Sequence, residues 1–411
     1  MASKVPEIRF AGFEGEWDNL PLSEYLTTSK AKNRDNRFGK EDVLSVSREY
    51  GVINQIAYQG RSFAGASVAG YGVVETNDIV YTKSPLRDQP YGIIKTNKGI
   101  PGIVSALYAI YHPNENIEPD FIQTFFDKDK RLNDYLRPIV HKGAKNTLNI
   151  GDVEALQGNV GFPKRAEQIK ISESFRNIDD LISQQRIECE KLRTLKAALL
   201  LHLFPQGEEK HPPIRVFDTI ENWEYHSLSE FANRVTRKNR NLENDNVMTI
   251  SALYGLINQS EFYNKRIASS DLSGYYLMHK GEFAYNKSYS TEYPWGAVKR
   301  LDKYTSGVVS NLYIIFEVEN IDSDFLVCYF MSNLWHKAVS LCAKEGARNH
   351  GLLNISADDF LNIPILIPHT FQEQKAIAAI LIEYDRLIRL NEQKLEKLRN
   401  LKQAMLDKMF V

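Results

Sequence analysis

Two segments of the chain combine a long run without proline or glycine with regularly spaced apolar residues. In residues 166–204, apolar side chains recur at intervals of three, four or seven residues, which predicts one apolar face of a long helix. They are Ile171, Phe175, Ile178, Ile182, Cys189, Leu192, Leu199 and Leu203. The C-terminal segment repeats the pattern at Ile377, Leu381, Tyr384, Ile388, Leu395, Leu398, Met405 and Met409. Each segment predicts a helix of about 38 residues, roughly 57 Å long.

Two polar positions interrupt both apolar faces at equivalent points. Gln185 corresponds to Asn391, and Lys196 corresponds to Lys402. A single polar residue is ordinary at the solvent edge of such a face, but a polar layer also fixes the register of paired helices. We expect the two helices to pair as an antiparallel coiled coil. The residues expected at the pairing surface are Ile178, Ile182, Gln185, Leu192, Tyr384, Ile388, Asn391 and Leu398.

The remaining sequence has the pattern of short strands. Runs rich in Val, Ile, Tyr and Phe, such as residues 72–81 and 102–111, alternate with Gly, Asn and Pro. This pattern predicts strand-rich α+β domains. We therefore expect an α+β protein with two similar globular domains in a pseudo-two-fold arrangement, separated by the two long helices.

An internal repeat is the reason to expect similar domains. Residues 50–55 (YGVINQ) match residues 254–259 (YGLINQ) at an offset of 204. The match is closest in the helices, where residues 192–196 correspond to residues 398–402 at an offset of 206. The globular domains have diverged more than the helices. We therefore infer that the two domains recognise different targets, while the two helices bind a common partner.

The repeat also predicts the limits of four segments. The globular domains are expected at residues 1–162 and 207–370, and the helices at residues 163–206 and 371–411.

Composition limits the classes of function. The 411 residues include 51 Lys and Arg and 52 Asp and Glu, for a net charge of −1. The whole molecule therefore has no general attraction to a polyanion, and a nucleic-acid interface must depend on local patches. The N-terminal residues lack the apolar core of a secretory signal, and the apolar run at residues 197–201 is far too short to span a bilayer. We expect a cytoplasmic location.

The sequence lacks the motifs of the catalytic classes considered. The only Pro-Pro pair, Pro212-Pro213, lacks the flanks of an adenine-methyltransferase motif, and residues 65–72 have the glycines of a phosphate loop without its Lys. Pro119-Asp120 is followed by no Glu-x-Lys in its domain, as a nuclease of that type would need. The three cysteines include no close pair that indicates a disulfide or a zinc site. We expect no catalysis, metal or cofactor in this chain.

Polar and basic loops occur at equivalent positions in both domains. Residues 30–37 and 234–240 are rich in Lys, Arg and Asn, which suit contacts to phosphates and base edges. A charge run is usually a solvated surface, but its recurrence favours DNA binding. The candidates in the first half are Lys30, Lys32, Arg34, Arg37, Lys83, Ser84, Lys142, Lys145 and Asn146. Those in the second half are Arg234, Arg237, Lys238, Arg240, Asn286, Lys287, Ser288, Arg348 and Asn349.

Several segments also carry a resemblance to a known family. They are residues 6–17, 167–168, 179–182, 373–378, 385–388 and 398–402. On these segments the chain resembles the specificity subunits of Type I restriction-modification systems. The resemblance covers essentially the whole chain, is close in the second helix and is looser in the first.

The resemblance implies the following organisation. Two target-recognition domains would read a bipartite site in double-stranded DNA, and the helices would act as spacers over an unread segment. Two methyltransferase subunits and further restriction subunits would be the protein partners. S-adenosylmethionine, ATP and magnesium would belong to those partners, and the family offers no catalytic residue to carry over.

Two alternatives stay open. A related specificity subunit, whose partner chain fuses nuclease and methyltransferase, has the same architecture. A repeat scaffold that binds only protein would explain the helices, but it would leave the paired basic loops without a role.

Overall fold

The computed structural model of the chain describes residues 4–86, 89–142, 148–218, 221–251, 255–263, 271–289, 293–343 and 351–411. The chain divides into two compact units. Unit 1 comprises Met1–Arg186 and Gln393–Val411, and unit 2 comprises Ile187–Glu392. Each unit therefore contains one globular domain and a part of each long helix.

The globular domain of unit 1 consists mainly of short strands. They are β1 (Asp18–Pro21), β2 (Leu26–Thr28), β3 (Leu44–Ser47), β4 (Gly51–Asn54), β5 (Gly72–Val74), β6 (Ile79–Thr82), β7 (Ile94–Thr96), β8 (Gly102–Val104), β9 (Tyr108–Pro113), β10 (His141–Lys142), β11 (Leu148–Asn149) and β12 (Asn159–Phe162). Its short helices are α1 (Gln55–Gln59), α2 (Pro119–Phe126) and α3 (Asp129–Leu136). The long helix α4 (Arg165–His202) follows β12.

The domain of unit 2 repeats this succession. Its strands are β13 (Glu224–Ser227), β14 (Ala232–Arg234), β15 (Met248–Ser251), β16 (Gly255–Asn258), β17 (Tyr276–His279), β18 (Phe283–Asn286), β19 (Ala297–Arg300), β20 (Ser306–Val309), β21 (Ile314–Val318) and β22 (Pro364–Ile367). Its short helices are α5 (Gln259–Tyr263), α6 (Ser323–Tyr329), α7 (His336–Cys342) and α8 (Ala357–Leu361). The second long helix, α9 (Phe371–Lys408), follows β22.

Both domains pair their strands in the same order. The largest sheet has four antiparallel strands, β2-β9-β6-β7 in unit 1 and β14-β21-β18-β19 in unit 2. The pairs β3-β4 and β5-β8 correspond to β15-β16 and β17-β20. The first strand of each domain pairs with the strand that precedes a long helix, as β1-β12 and β13-β22. The predicted α+β class with two similar domains is confirmed.

Alternation along the central strand β6 produces the core of unit 1. Ile79 and Tyr81 belong to the large apolar cluster that includes Phe121 of α2. Val80 points into a second cluster with Val104, as expected for side chains that alternate between the faces of a sheet. A strand that is covered on both faces needs apolar residues at successive positions. This explains the continuous apolar run in β6.

One glycine in each domain permits a close approach to this central strand. Gly92 and Gly296 both have a positive φ, of 83° and 78°. A Cβ atom would collide with the carbonyl oxygen of Thr82 in the first case and of Asn286 in the second. A side chain is excluded at both positions by conformation and by space.

The predicted apolar face of each long helix is its buried face. Ile171, Phe175, Ile178, Cys189, Leu192, Leu203, Ile377, Leu381, Leu395 and Met409 are buried. Ile182, Leu199, Tyr384, Ile388, Leu398 and Met405 are half-buried. The two long helices are thereby confirmed, and each contains 38 residues.

Within unit 1, the parts of α4 and α9 run antiparallel. The ring of Phe175 on α4 lies 5.8 Å from the ring of Phe410, which follows the end of α9, and Lys402 of α9 donates a hydrogen bond of 2.6 Å to Asp179 of α4. The residue number on α9 falls as the number on α4 rises, which defines the antiparallel direction.

Unit 2 shows the same direction with two ion pairs. Arg193 contacts Glu392 at 2.5 Å, and Lys196 contacts Asp385 at 2.6 Å. The remaining polar interruption of the apolar faces is the pair Gln185 and Asn391. Gln185 is buried, and Asn391 is half-buried and donates a hydrogen bond to the carbonyl of Leu387 on its own helix. The pairing of these two residues stays a prediction.

No helix among the residues that the structure describes combines the length and apolar character needed to cross a membrane. Cys189, Cys328 and Cys342 are free thiols.

Candidate nucleic-acid interface

A fully buried asparagine holds the first basic loop in shape. Asn33 has an exposed fraction of 0%. Its side-chain nitrogen donates to the carbonyl oxygens of Phe38, at 2.8 Å, and Val68, at 3.4 Å. Its side-chain oxygen accepts from the backbone N–H of Phe38 at 3.0 Å. These buried hydrogen bonds fix the backbone of the loop. The backbone in turn determines where the neighbouring side chains emerge.

Asn239 does the same in unit 2. It is also 0% exposed, donates to the carbonyl of Asn244 at 2.8 Å and accepts from the N–H of Asn244 at 3.1 Å. The sequence interpretation assigned the amides of these loops to base edges, whereas Asn33 and Asn239 serve the backbone. The sequence signal for this role is that the two asparagines occupy the same position of the repeat, 206 residues apart. A buried amide must have its hydrogen bonds satisfied inside the protein.

The cations of the first loop divide into free and paired groups. Lys30, Lys32 and Arg34 are exposed, and their side chains have no ion-pair partner among the described residues. Arg37 is also exposed but contacts Glu75 at 2.9 Å and lies 4.7 Å above the ring of Phe38. Free, exposed cations on a rigid loop can bind phosphate groups without first breaking an ion pair.

The second loop shows the same division. Arg234 and Arg240 are exposed and, within the described part of the chain, their side chains have no ion-pair partner. Arg237 contacts the buried carboxylate of Glu282 at 3.0 Å. Lys238 lies 3.4 Å above the ring of Tyr276 and donates to a backbone carbonyl at 3.0 Å. Arg234 and Arg240 are thus the candidates of this loop best placed to bind DNA.

Lys83 lies directly after β6 and joins two parts of the domain. Its ammonium contacts Asp152 at 2.9 Å, and its carbonyl accepts from the N–H of Leu148 at 3.2 Å. This contact ties the end of β6 to β11, the strand that pairs with β10. A phosphate contact by Lys83 would compete with Asp152.

Lys287 has the equivalent place after β18. Its ammonium donates to the carbonyl of Ile355 at 3.3 Å, and its own carbonyl accepts from Leu353 at 2.9 Å. Both lysines therefore anchor a chain segment that returns to the central strand.

The other candidates have less defined positions. Ser84 and Asn286 are half-buried, and Ser288 is exposed. Lys145, Asn146, Arg348 and Asn349 lie outside the described residues, as does the side chain of Lys142. Their contact with DNA stays a prediction.

A buried carboxylate lies behind the first loop, at the start of β6. Burial raises the pKa of Asp78, although hydrogen bonds from the N–H of Glu75 and from His112 act in the opposite direction. A ring nitrogen of His112 lies 2.6 Å from the carboxylate. Among the described residues, no cluster of His, Cys, Asp and Glu could hold a metal ion.

Comparison with known proteins relates the second half of the chain to a family model. Residues 220–400 match the model of the Type I restriction modification DNA specificity domain. A search of curated protein sequences gave no match. The matched region contains the second domain and most of α9.

Solved structures extend the likeness to the whole chain. The S subunit of a Type I restriction-modification system from M. genitalium aligns with a TM-score of 0.58 over 99% of both chains, at 14% identity. A chain from a structure of complex assembly and conformational transition of the type I R-M system aligns with a TM-score of 0.51 over 96% of this chain and 97% of the other, at 14% identity. The HsdS subunit of Thermoanaerobacter tengcongensis aligns with a TM-score of 0.46 over 97% and 98% of the two chains, also at 14% identity.

The resemblance to specificity subunits of Type I restriction-modification systems is confirmed. At this identity the solved structures establish the fold, and the family model adds the DNA specificity domain in the second half. Together they support a DNA specificity domain in residues 220–400 within a fold that the whole chain shares with these structures. The second basic loop, residues 234–240, lies within the matched region.

Proposed function

We propose that this chain is the non-catalytic specificity subunit of a Type I restriction-modification complex. It reads a bipartite DNA site with one domain per half and carries methyltransferase and restriction subunits. The observation behind this proposal is that two domains share strand order and buried loop contacts but differ in the exposed residues of those loops.

The two basic loops illustrate this difference. Asn33 and Asn239 make the same buried contacts. At the exposed positions of the repeat, Arg37 corresponds to Glu243, whereas Arg34 corresponds to Arg240. Direct readout depends on the donors and acceptors that reach base edges. A common frame with different exposed groups suits two half-sites of different sequence.

The long helices offer equivalent apolar positions for a partner. Leu195 on α4 and Leu401 on α9 are separated by 206 residues and are 40% and 53% exposed. Leu195 belongs to unit 2 and Leu401 to unit 1, so each unit presents one such leucine. Two exposed leucines at equivalent positions fit two copies of one partner, which we take to be the methyltransferase subunit.

S-adenosylmethionine, ATP and magnesium are assigned to the partner subunits in this proposal. A partner that fuses nuclease and methyltransferase is the alternative within DNA recognition, and the observations favour neither. The protein-only scaffold is disfavoured by the DNA specificity domain that residues 220–400 match.

Salt-dependent DNA binding tests the proposal. The chain in complex with its methyltransferase should shift a DNA duplex in a gel, and affinity should fall steeply between about 50 and 200 mM salt because counterions are released from the phosphates. No binding, or binding without salt dependence, would leave the protein-only scaffold.

Native mass spectrometry tests recruitment. Leu195→Asp or Leu401→Asp should each remove one of two methyltransferase copies. Ile100→Asp is the matched control, because Ile100 is 73% exposed but lies in a globular domain. Retention of both copies in the leucine variants would contradict the proposed docking surface.

A further inference from the structure

Unit 1 contains a cavity of about 250 Å³ with an unusual combination of walls. Four cations line it: Arg48, Lys95, Arg399 and Lys402. Phe126 and Ile182 are among its apolar walls. A concave site with convergent charges and an apolar side is typical of small-ligand binding.

Three of the four cations are already neutralised. The ion pairs are Arg48 with Asp129 at 2.7 Å, Lys95 with Asp127 at 2.5 Å and Lys402 with Asp179 at 2.6 Å. Arg399 is exposed and has no ion-pair partner among the residues that the structure describes. The cavity wall therefore has one guanidinium in excess.

The internal repeat shows why Arg399 is unpaired. Its counterpart in unit 2 is Arg193, which contacts Glu392 at 2.5 Å. The residue equivalent to Glu392 in the first half is Arg186, which pairs instead with Glu49 at 2.5 Å. Arg186 thus occupies the position at which the repeat would place a carboxylate partner for Arg399. The equivalent arginine of unit 2 is paired, so this unpaired guanidinium belongs to unit 1.

We propose that this cavity binds a small phosphate ester, with Arg399 as the residue that contacts the phosphate. A guanidinium binds phosphate oxygens through two parallel hydrogen bonds. Asp127 and Asp129, whose oxygens already face the cations, can also accept hydrogen bonds from hydroxyl groups of the ligand. Ile182, which is half-buried, can pack against its organic part. The volume of about 250 Å³ admits a small phosphate ester, at least through its phosphate end, and excludes a folded partner.

Isothermal titration of the full-length chain with adenosine monophosphate tests this site. We expect wild type to bind and Arg399→Gln to bind about 10- to 100-fold more weakly, the loss expected for one charge-assisted contact. Arg193→Gln is the matched control, because Arg193 has the equivalent place in unit 2 with a partner of its own. It should bind as wild type does. Arg399→Lys keeps the charge and should recover part of the affinity.

Other outcomes overturn the proposal. They are no binding by wild type, an equal loss in Arg399→Gln and Arg193→Gln, or inorganic phosphate bound as tightly as the nucleotide. Displacement of the nucleotide by a duplex without a recognition site would assign the phosphate to the DNA backbone and would also overturn it. Sequence-specific DNA binding should be unchanged in Arg399→Gln, so this test is independent of the proposed DNA-reading function.

Discussion

Lys196 of α4 and Asp385 of α9 form an ion pair of 2.6 Å in unit 2, and its repeat image is the 2.6 Å pair of Lys402 with Asp179 in unit 1. The sequence showed both lysines as interruptions of an apolar face. Each reaches a carboxylate on the other helix, within its own unit. The interruption is therefore an interhelical contact, repeated by the duplication of the chain.

Replacing Lys196 by Ala should destabilise unit 2 by about 1–3 kcal/mol, because the partly buried carboxylate of Asp385 loses its partner. The side chain of Lys196 is 15% exposed, whereas that of Arg193 is 58% exposed. Arg193→Ala, the control on the same helix, should cost less than about 1 kcal/mol. Urea unfolding measures both. Equal effects of the two variants would contradict this account of the buried pair.

Asn33→Ala should lower the free energy of unfolding by about 2–4 kcal/mol, since it leaves several backbone groups without a hydrogen bond. Lys30→Ala, at an exposed position of the same loop, should stay within about 0.5 kcal/mol of wild type. Denaturant unfolding of both variants makes the comparison. A stable Asn33→Ala variant would show that the buried amide does not hold the loop.

Arg34→Ala and Arg240→Ala should weaken DNA binding. The pattern of the loss should show whether each arginine contacts a phosphate or a base. A phosphate contact predicts equal weakening on all sequences and a salt slope smaller by about one, while a base contact predicts a loss of about 1–3 kcal/mol at one position. Lys394→Ala, which removes an exposed cation on α9, is the control. Unchanged affinity and slope in both arginine variants would make these loops ordinary surface.

The Cys328 thiol should resist alkylation in the native protein. Burial raises its pKa to about 12, so the reactive thiolate is scarce near pH 8. Cys342 is half-buried and should react first with iodoacetamide. Peptide mass mapping under native and denaturing conditions separates the two. Rapid native modification of Cys328 would contradict the burial of α6.

The sequence predicted the long helices well because their period is local. Residues such as Ile171 and Ile377 follow a 3.6-residue repeat that depends on no distant partner. The duplicated domains could be predicted from self-similarity alone. The strand order could not, because β1 pairs with β12 across more than a hundred residues, and no local pattern specifies that contact.

The candidate interface was predicted less completely for a related reason. Charge and exposure are visible in sequence, but partners are not. In the sequence, Arg37 and Lys83 are indistinguishable from Arg34 as candidates for binding phosphate. In the structure they form ion pairs with Glu75 and Asp152. The role of Asn33 likewise depends on Val68, which lies in a different loop.

Exchange of the first domain with that of a Type I specificity subunit tests the central claim most directly. The exchanged segment should run from β1 to β12, residues 18–162, so that the strand pair closing the domain moves as one piece. Phe175 on α4 and Phe410 beyond the end of α9, which pack against the exchanged core, stay in place. Methylated adenines mapped in the DNA of a host that carries the hybrid and its methyltransferase should show one half-site replaced and the other retained. Replacement of both half-sites, or of neither in an active hybrid, would contradict independent reading by the two domains.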